Sequence, residues 1–240
     1  MDVSDTYDGL KQHLPVEPAD VTLGARAGLV VVDVVKGFAE VGCGPLAPAE
    51  KNEQVDQMIC ESDILARTFV SKGYPVLAFL DTHTPGVPEP PYPPHCERGS
   101  GQELLVDVLS WFNAESSITQ VRKDCINGFI GSIAPDGSNA FVDWAQKHAI
   151  EQIVVVGICT DICVMDFVLT LLSIRNHGIL SNLRDVIVYE PGCATYHLPA
   201  SVAETLSLPR TAIHPQALAH HIGLYSMASR GAVIANRLSF

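Results

Sequence analysis

The feature that most constrains this chain is a series of unbroken runs of valine, isoleucine and leucine. A strand with one face in water alternates apolar and polar residues, whereas a strand buried on both faces reads as a continuous apolar run. Five such runs and a weaker sixth occur, at 28–33 (GLVVVD), 75–81 (PVLAFLD), 116–123 (SSITQVRK, the weaker one), 152–157 (QIVVVG), 185–190 (DVIVYE) and 232–238 (AVIANRL). They predict a mostly parallel sheet of about six strands that is covered on both faces.

Segments with helical periodicity separate these runs. Four have this character, at 52–73, 139–149, 161–178 and 214–231. The third is apolar nearly all round, which is typical of a buried helix, and Gly73 is suited to end the first. Strands that alternate with helices predict a three-layer, Rossmann-like α/β fold with helices on both faces of an open sheet. We expect one domain, residues 27–240, with residues 1–26 as an N-terminal extension packed on it.

Composition excludes several classes of partner. The chain has a net charge of −12, so it lacks the basic footprint of a nucleic-acid-binding protein. It contains no apolar run of about 18 residues, so no membrane partner is expected. Its first residues are polar and acidic, unlike a secretory signal. Its seven cysteines are irregularly spaced, which favours free thiols in a reducing compartment. We therefore expect a cytoplasmic protein, with nuclear entry as an open alternative.

Residues 81–102 do not follow the alternation of strands and helices. The segment holds six prolines, and a long loop without regular structure is usually functional in a compact domain. It begins at the carboxyl end of a predicted strand, where open α/β sheets bind ligands. Asp81 and His83 point the same way in an extended segment, and His95 returns after the prolines. These side chains suit Zn²⁺, Fe²⁺ or Mn²⁺, and ordinary loop side chains are the alternative.

Cys163 is the candidate nucleophile, because it lies after the run at 152–157 and at the start of the apolar helix. A thiol in the first turn of a helix is near the positive end of the helix dipole, which favours the thiolate. The same turn offers free backbone N–H groups that can bind an oxyanion. Thr160 or Asp161 is expected to cap this helix. A buried core cysteine is the alternative interpretation.

Charged side chains end two other runs. Asp33 follows the first run and can act as general base and acid if its pKa is raised, and the alternative is a helix cap or a solvated loop acid. Lys123 ends the weaker run and can stabilise an acid–thiol pair. Arg122 competes for this role, because neighbouring strand residues point to opposite faces, and a surface lysine is the alternative. Surface or capping roles are expected for three further histidines, His214, His220 and His221.

Taken together, these segments resemble the motifs of the isochorismatase-like cysteine hydrolases, and within them the nicotinamidases. Four motifs occur in the order of that family, at 30–38 (VVVDVVKGF), 79–85 with 92–99 (FLDTHTP and YPPHCERG), 122–129 (RKDCINGF) and 154–164 (VVVGICTDICV). The N-terminal extension and the run HPQALAHHIGLY at 214–225 are similar to the plant nicotinamidases in particular.

The resemblance implies a catalytic triad of Asp33, Lys123 and Cys163. It also implies a cis peptide bond between Ile158 and Cys159, and it makes Ile158 a substrate-binding residue. The backbone N–H groups of Cys159 and Cys163 would then form the oxyanion hole.

The resemblance further implies a metal site and a ring-binding site. The metal ligands would be Asp81, His83 and His95. Many relatives carry a third histidine in this loop; here Glu89 is the candidate for that position. Phe38 and Tyr92 match the aromatic positions that hold the substrate ring, and Tyr92 stands where the family often has tryptophan.

The function that the resemblance implies is hydrolysis of nicotinamide to nicotinic acid and ammonia through a thioester on Cys163, as a step of NAD salvage. One divalent ion, with Zn²⁺ preferred to Fe²⁺ or Mn²⁺, would position the substrate, and self-association is expected. Two alternatives stay open: a metal-independent hydrolase of the same family, and a catalytically silent binding protein on the same fold.

Overall fold

All six predicted strands are present in the computed structural model, which describes residues 3–240. They belong to a seven-stranded sheet in the order β1-β7-β6-β5-β2-β3-β4, and every pair of neighbours is parallel. The strands are β1 (Ala19–Thr22), β2 (Ala27–Val32), β3 (Val76–Asp81), β4 (Ile118–Lys123), β5 (Gln152–Ile158), β6 (Asp185–Ala194) and β7 (Val233–Ser239). The prediction of a parallel sheet is confirmed.

The seventh strand lies within the segment that was predicted to be an N-terminal extension. β1 is only four residues long and mostly exposed, and it pairs with β7 at the edge of the sheet. A short, polar edge strand has no continuous apolar run, so the pattern that revealed the other strands could not reveal this one.

The helices form two layers around the sheet. They are α1 (Val3–His13), α2 (Lys36–Ala39), α3 (Glu53–Ser71), α4 (Ala140–Lys147), α5 (Met165–His177), α6 (Ala200–Thr205) and α7 (Gln216–Ala228). Leu29 and Val31 of β2 pack in one apolar cluster with α3, whereas Val30 and Val32 pack in the other with α4, α5 and α7. Because successive strand residues point to opposite faces, the unbroken runs supply both cores. Among residues 3–240, no helix is long and apolar enough to cross a membrane.

The helix ends follow the local sequence. The side chain of Asn52 accepts a hydrogen bond from the backbone N–H of Val55 and caps α3, and Gly73 just beyond that helix has a φ of +77°. Gly178 directly follows the last residue of α5 and has a φ of +85°. Both glycines occupy the left-handed conformation that terminates helices and favours glycine.

The chain reverses its strand order between β5 and β2, which lie side by side in the sheet. From β2 the chain proceeds outward through β3 and β4, and from β5 it proceeds the other way through β6 and β7. Ligands of open α/β sheets bind outside the carboxyl ends of the strands at such a switch point. The fold therefore directs attention to the loops that follow β2, β3, β4 and β5.

Candidate active site

Several of the predicted catalytic and metal-binding residues lie at the carboxyl ends of four adjacent strands. Asp33 directly follows β2, and Cys159 directly follows β5. Asp81 and Lys123 are the last residues of β3 and β4, and they are paired in the sheet register. Since the strands are parallel, their carboxyl ends lie on the same side of the sheet, and these four residues lie there together.

Asp33 and Lys123 form a fully buried ion pair. The Lys123 ammonium lies 2.8 Å from Asp33 Oδ2, and neither side chain is exposed. Arg122, the competing candidate, is exposed and donates a hydrogen bond to Thr82 Oγ1 at 3.0 Å. The alternation of side chains along β4 therefore places Lys123, and not Arg122, toward the crevice.

Asp33 adopts a backbone conformation that is rare outside glycine, with a φ of +53°. Aspartate tolerates this left-handed region better than most residues do, and such outliers concentrate at functional sites. Burial raises the pKa of Asp33 to about 6, against the lowering effect of Lys123. Although burial alone would lower the pKa of Lys123, the charges of Asp33, Cys163 and Asp81 raise it well above its usual range. Asp33 can thus exchange a proton near neutral pH, while Lys123 stays charged.

Cys163 lies in a turn that is wider than an α-helical turn. Residues Thr160–Val164 form one π-helical turn ahead of α5, and Cys163 is buried within it. Cys159 immediately precedes the turn and is joined to Ile158 by a cis peptide bond, as predicted. The two backbone N–H groups that were predicted to bind an oxyanion therefore lie within one short segment.

Two expectations about this turn are wrong. Burial raises the pKa of the Cys163 thiol well above its ordinary value, although Lys123 opposes the shift, so the helix terminus does not by itself produce a thiolate. The turn also has no side-chain cap. The carboxylate of Asp161 instead accepts hydrogen bonds from Thr195 Oγ1 at 2.6 Å and from His214 Nε2 at 2.8 Å. Burial therefore favours the thiol form of Cys163, and Asp33 and Cys163 perturb each other's pKa at close range.

The three predicted metal ligands form a buried cluster. Asp81, His83 and His95 each offer one ligand atom, and these atoms lie within 4.8 Å of one another. The Nε2 atoms of His83 and His95 lie 3.0 and 3.3 Å from Asp81 Oδ2. Glu89 reaches in from the proline-rich loop, and its Oε2 lies 3.6 Å from both Nε2 atoms. The structure thus places Glu89 beside the three other candidate metal ligands, as the resemblance implied.

The donor set fits a divalent ion. Within residues 3–240, Asp81 Oδ2 and His83 Nε2 are buried without a hydrogen-bond partner, a costly state that a bound cation would relieve. His95 Nδ1 donates to the Pro93 carbonyl at 2.8 Å, which leaves the Nε2 lone pair free for a metal. Two imidazoles and two carboxylates form a candidate metal site suited to Zn²⁺, Fe²⁺ or Mn²⁺.

Backbone pairing holds the two histidines side by side. The His83 N–H donates to the Cys96 carbonyl at 3.0 Å, and the Arg98 N–H donates to the His83 carbonyl at 2.8 Å. The returning end of the proline-rich loop therefore runs parallel to the segment just after β3. This pairing places His95 next to His83, with ring centroids 4.5 Å apart.

A cavity of about 450 Å³, including its open mouth, connects Cys163 with the cluster of candidate metal ligands. This volume suits a small organic ligand. Its lining residues are Phe38, Leu46, Asp81, Glu89, Tyr92, His95, Ile126, Cys159, Ile162, Cys163 and Tyr196. The two predicted ring-binding residues, Phe38 and Tyr92, are among them. Asp33 and Lys123 do not line the cavity.

The side chain of Ile158 does not reach this cavity, although we predicted that this residue binds substrate. It is 1% exposed and packs in the apolar cluster beneath α3, because alternation along β5 turns it toward the core. Tyr196 does line the cavity and was not predicted. It follows the end of β6 by two residues, so the rule that identified the other strand ends applies to it as well. The predicted strand stopped at residue 190, which concealed this relationship.

Comparison with known proteins supports the assignment of the fold and of the motifs. Residues 27–213 match the family model described as the isochorismatase domain. The chain belongs to the isochorismatase family. Nicotinamidase 1 of Arabidopsis thaliana is 52% identical to this chain over 237 residues, which cover 98% of this chain and 96% of that protein.

Solved structures of isochorismatase-fold proteins share the architecture at low sequence identity. A nicotinamidase from Bacillus subtilis superposes with a TM-score of 0.65 at 18% identity, covering 88% of this chain and 99% of that one. A pyrazinamidase from Pyrococcus horikoshii in complex with zinc superposes with a TM-score of 0.59 at 20% identity, covering 90% of this chain and 99% of that one. At these identities the likeness establishes the isochorismatase fold.

Proposed function

We propose that this protein hydrolyses nicotinamide to nicotinic acid and ammonia, with Cys163 as the nucleophile. The observation that carries the proposal is that Cys163 and three of the four candidate metal ligands line one cavity, together with Phe38 and Tyr92. A cysteine hydrolase without a metal would not need that donor set. The relative named Nicotinamidase 1, at 52% identity over nearly the whole chain, supports the same reaction.

Substrate positioning would come from the aromatic walls and the metal cluster. Phe38 and Tyr92 present flat faces to a pyridine ring. When a divalent ion is bound by Asp81, His83, His95 and Glu89, it supplies a Lewis acid for the ring nitrogen. A ring fixed at both points directs the carboxamide carbon toward the Cys163 sulfur.

The first half of the reaction forms a thioester. Asp33 removes the proton from the Cys163 thiol, the sulfur attacks the carboxamide carbon, and the carbonyl electron pair moves to oxygen. The N–H groups of Cys159 and Cys163 donate to that oxyanion, and Lys123 keeps the neighbouring carboxylate in place. Asp33 then returns the proton to the leaving nitrogen as the C–N bond breaks, and ammonia departs.

The second half releases the acid. Asp33 removes a proton from water, the oxygen attacks the thioester carbon, and the C–S bond breaks as the tetrahedral intermediate collapses. The proton returns to the sulfur of Cys163, which regenerates the thiol. The raised pKa of Asp33, about 6, suits a group that must accept and release a proton twice in each cycle.

The experiment that tests this function is a direct assay for ammonia released from nicotinamide by the purified protein. We expect turnover by the wild-type chain and none above background for Cys163→Ala. Cys60→Ala, which changes an exposed thiol on α3, is the matched control and should keep wild-type turnover. Ammonia release by Cys163→Ala would show that the nucleophile is another group.

We propose Zn²⁺ as the bound ion. Its preference for imidazole and carboxylate ligands supports this choice, and a family structure described as a complex with zinc agrees with it. Metal analysis of the purified chain should find about one equivalent, and His83→Ala and His95→Ala should each lower that content and raise KM. If both variants keep the wild-type metal content, the ligand assignment is wrong.

A further inference from the structure

A second cluster of polar and aromatic side chains borders the cavity through Tyr196. It consists of Asp161 in the π-helical turn of Cys163, Thr195 and Tyr196 just after β6, and His214 just before α7. The sequence suggested only a surface or capping role for His214. The structure instead places it half-buried, between the carboxylate of Asp161 and the ring of Tyr196.

Both ring nitrogens of His214 face oxygen acceptors. Nε2 lies 2.8 Å from Asp161 Oδ2, and Nδ1 lies 2.9 Å from the Tyr196 carbonyl. A histidine can donate from both nitrogens only in its charged form. Although burial lowers the pKa of His214, the hydrogen bond and the charge of Asp161 raise it overall. The two acceptors thus favour the imidazolium form of His214, which they hold at both ends.

This imidazolium stacks on Tyr196. The two ring centroids are 3.8 Å apart, and the ring planes differ by 13°. A cation at this distance from a tyrosine face is attracted to it, in addition to the packing contact. One face of Tyr196 is thus covered by His214, and Tyr196 also lines the cavity beside Cys159 and Cys163.

The backbone fixes the same arrangement. Leu198 and His214 exchange two backbone hydrogen bonds, of 2.9 and 2.8 Å, so the chain that leaves β6 at Tyr196 returns beside it at His214. Asp161 belongs to the same turn as Cys163. One carboxylate therefore connects the turn that carries the nucleophile with the ring that lines the cavity.

We propose that Tyr196 is a third aromatic contact for the substrate ring, and that the Asp161–His214 pair is a positioning device that holds it at a set distance from Cys163. This inference rests on the proposed function. A planar aromatic amide would meet a tyrosine face that cannot rotate away, because the stack and the two hydrogen bonds of His214 restrain it. Tyr196 then contributes to the selection of ring-bearing amides over acyclic ones.

The test is steady-state kinetics on nicotinamide with two substitutions at each position. Tyr196→Leu should raise KM about 2- to 12-fold, which corresponds to the loss of one aromatic contact, with a smaller effect on kcat. Tyr196→Phe retains the flat ring and should lose less than the leucine variant. His214→Ala releases the ring and should raise KM in the same direction, while His214→Phe restores a stacked ring and should recover part of the loss.

Two matched controls separate positioning from general stability. Tyr189→Leu removes another half-buried tyrosine of β6, whose hydroxyl donates to Glu61, and should leave KM unchanged. His221→Ala removes another histidine that is hydrogen-bonded to a backbone carbonyl, that of Leu14, and should lower Tm without raising KM. The Kd of nicotinamide, measured for each variant in a Cys163→Ala background, reports ring binding without turnover.

The outcomes distinguish this inference from the proposed function. A wild-type chain that releases no ammonia from nicotinamide overturns the proposed function. An active wild-type chain with unchanged KM and Kd in Tyr196→Leu overturns the role of Tyr196 alone. Equal increases of KM in Tyr196→Leu, Tyr189→Leu and His221→Ala would mean that lost stability causes the effect. That outcome would also overturn the role of Tyr196.

Discussion

Asp81 Oδ1 lies 3.0 Å from the ammonium of Lys123, while the second oxygen of the same carboxylate faces the two histidines of the metal cluster. One side chain therefore belongs both to the charge network around Cys163 and to the candidate metal site. Although burial alone would raise the pKa of Asp81, Lys123 and the nearby histidines lower it overall. Asp81 thus stays ionised and serves both sites.

This shared carboxylate predicts that Asp81→Asn impairs two properties at once. Metal affinity should fall at least tenfold, since even the loss of an indirect partner of a metal ligand costs about 10- to 100-fold. The kcat at saturating metal should also remain low, because Lys123 loses one of its two carboxylate partners. Glu89→Gln is the matched control, because it removes the charge of a candidate metal ligand without touching Lys123, and it should recover a larger share of kcat when metal is added. Full recovery of Asp81→Asn by added metal would contradict the coupling.

The raised pKa of Asp33 predicts the acid limb of the pH profile. Asp33 must be ionised to accept the thiol proton, so activity is lost as the pH falls through its pKa. Because burial raises that pKa to about 6, kcat/KM should reach half its plateau near pH 6 and not near 4. Metal content measured over the same pH range separates this effect from metal loss. Asp33→Asn should lose about 10²- to 10⁴-fold in kcat/KM at every pH, and a wild-type acid limb near pH 4 would contradict the assignment.

Lys123→Met tests the buried ion pair. The substitution keeps the apolar stem but leaves the carboxylates of Asp33 and Asp81 buried without their cation. Removing one partner of a buried pair costs about 3–5 kcal/mol, so the free energy of unfolding in urea should fall by that order. Lys147→Met, at the exposed end of α4, should change stability little. A loss for Lys123→Met as small as that of the control would mean that the pair does not stabilise the fold.

Gly157→Ala tests the close approach of β5 to β2 beneath the site. Gly157 has a φ of +128°, and a Cβ there would clash with the backbone of Val32. The unfavourable φ and the overpacking each cost about 1–3 kcal/mol, so the free energy of unfolding should fall by their sum and activity should fall as Asp33 is displaced. Gly137→Ala is the control, since its φ of +85° is also unfavourable but its Cβ would meet no atom within 4 Å. Equal losses in the two variants would exclude a packing role for Gly157.

Much of the fold followed from the sequence because its periodicity reports burial directly. Continuous apolar runs identify β2, β3, β5 and β6 as doubly covered strands, and the parallel arrangement then places their carboxyl ends together. The same reasoning places Asp33 and Asp81 at that end of the sheet, and the weaker run of β4 adds Lys123. β1 was missed because an exposed edge strand has no such run.

Several features of the site depend on long-range contacts that no local pattern contains. Glu89 lies in an irregular loop, and only the backbone pairing of His83 with residues 96–98 folds that loop over the cluster. Asp161 had the sequence character of a helix cap, but tertiary hydrogen bonds to Thr195 and His214 satisfy it instead.

The sequence by itself determined the parallel α/β fold, the strand ends that carry the charged residues and the motifs of the family. Only the tertiary structure decided how burial and neighbouring charges act on the thiol and on the carboxylate beside it. Cys163 lies at the start of a helical segment, as predicted, yet burial raises the pKa of its thiol, which is why we propose the nearby Asp33 carboxylate as its base. Burial and the distance between charges are properties of packed side chains far apart in the chain, and they outweigh the local effect of a helix terminus.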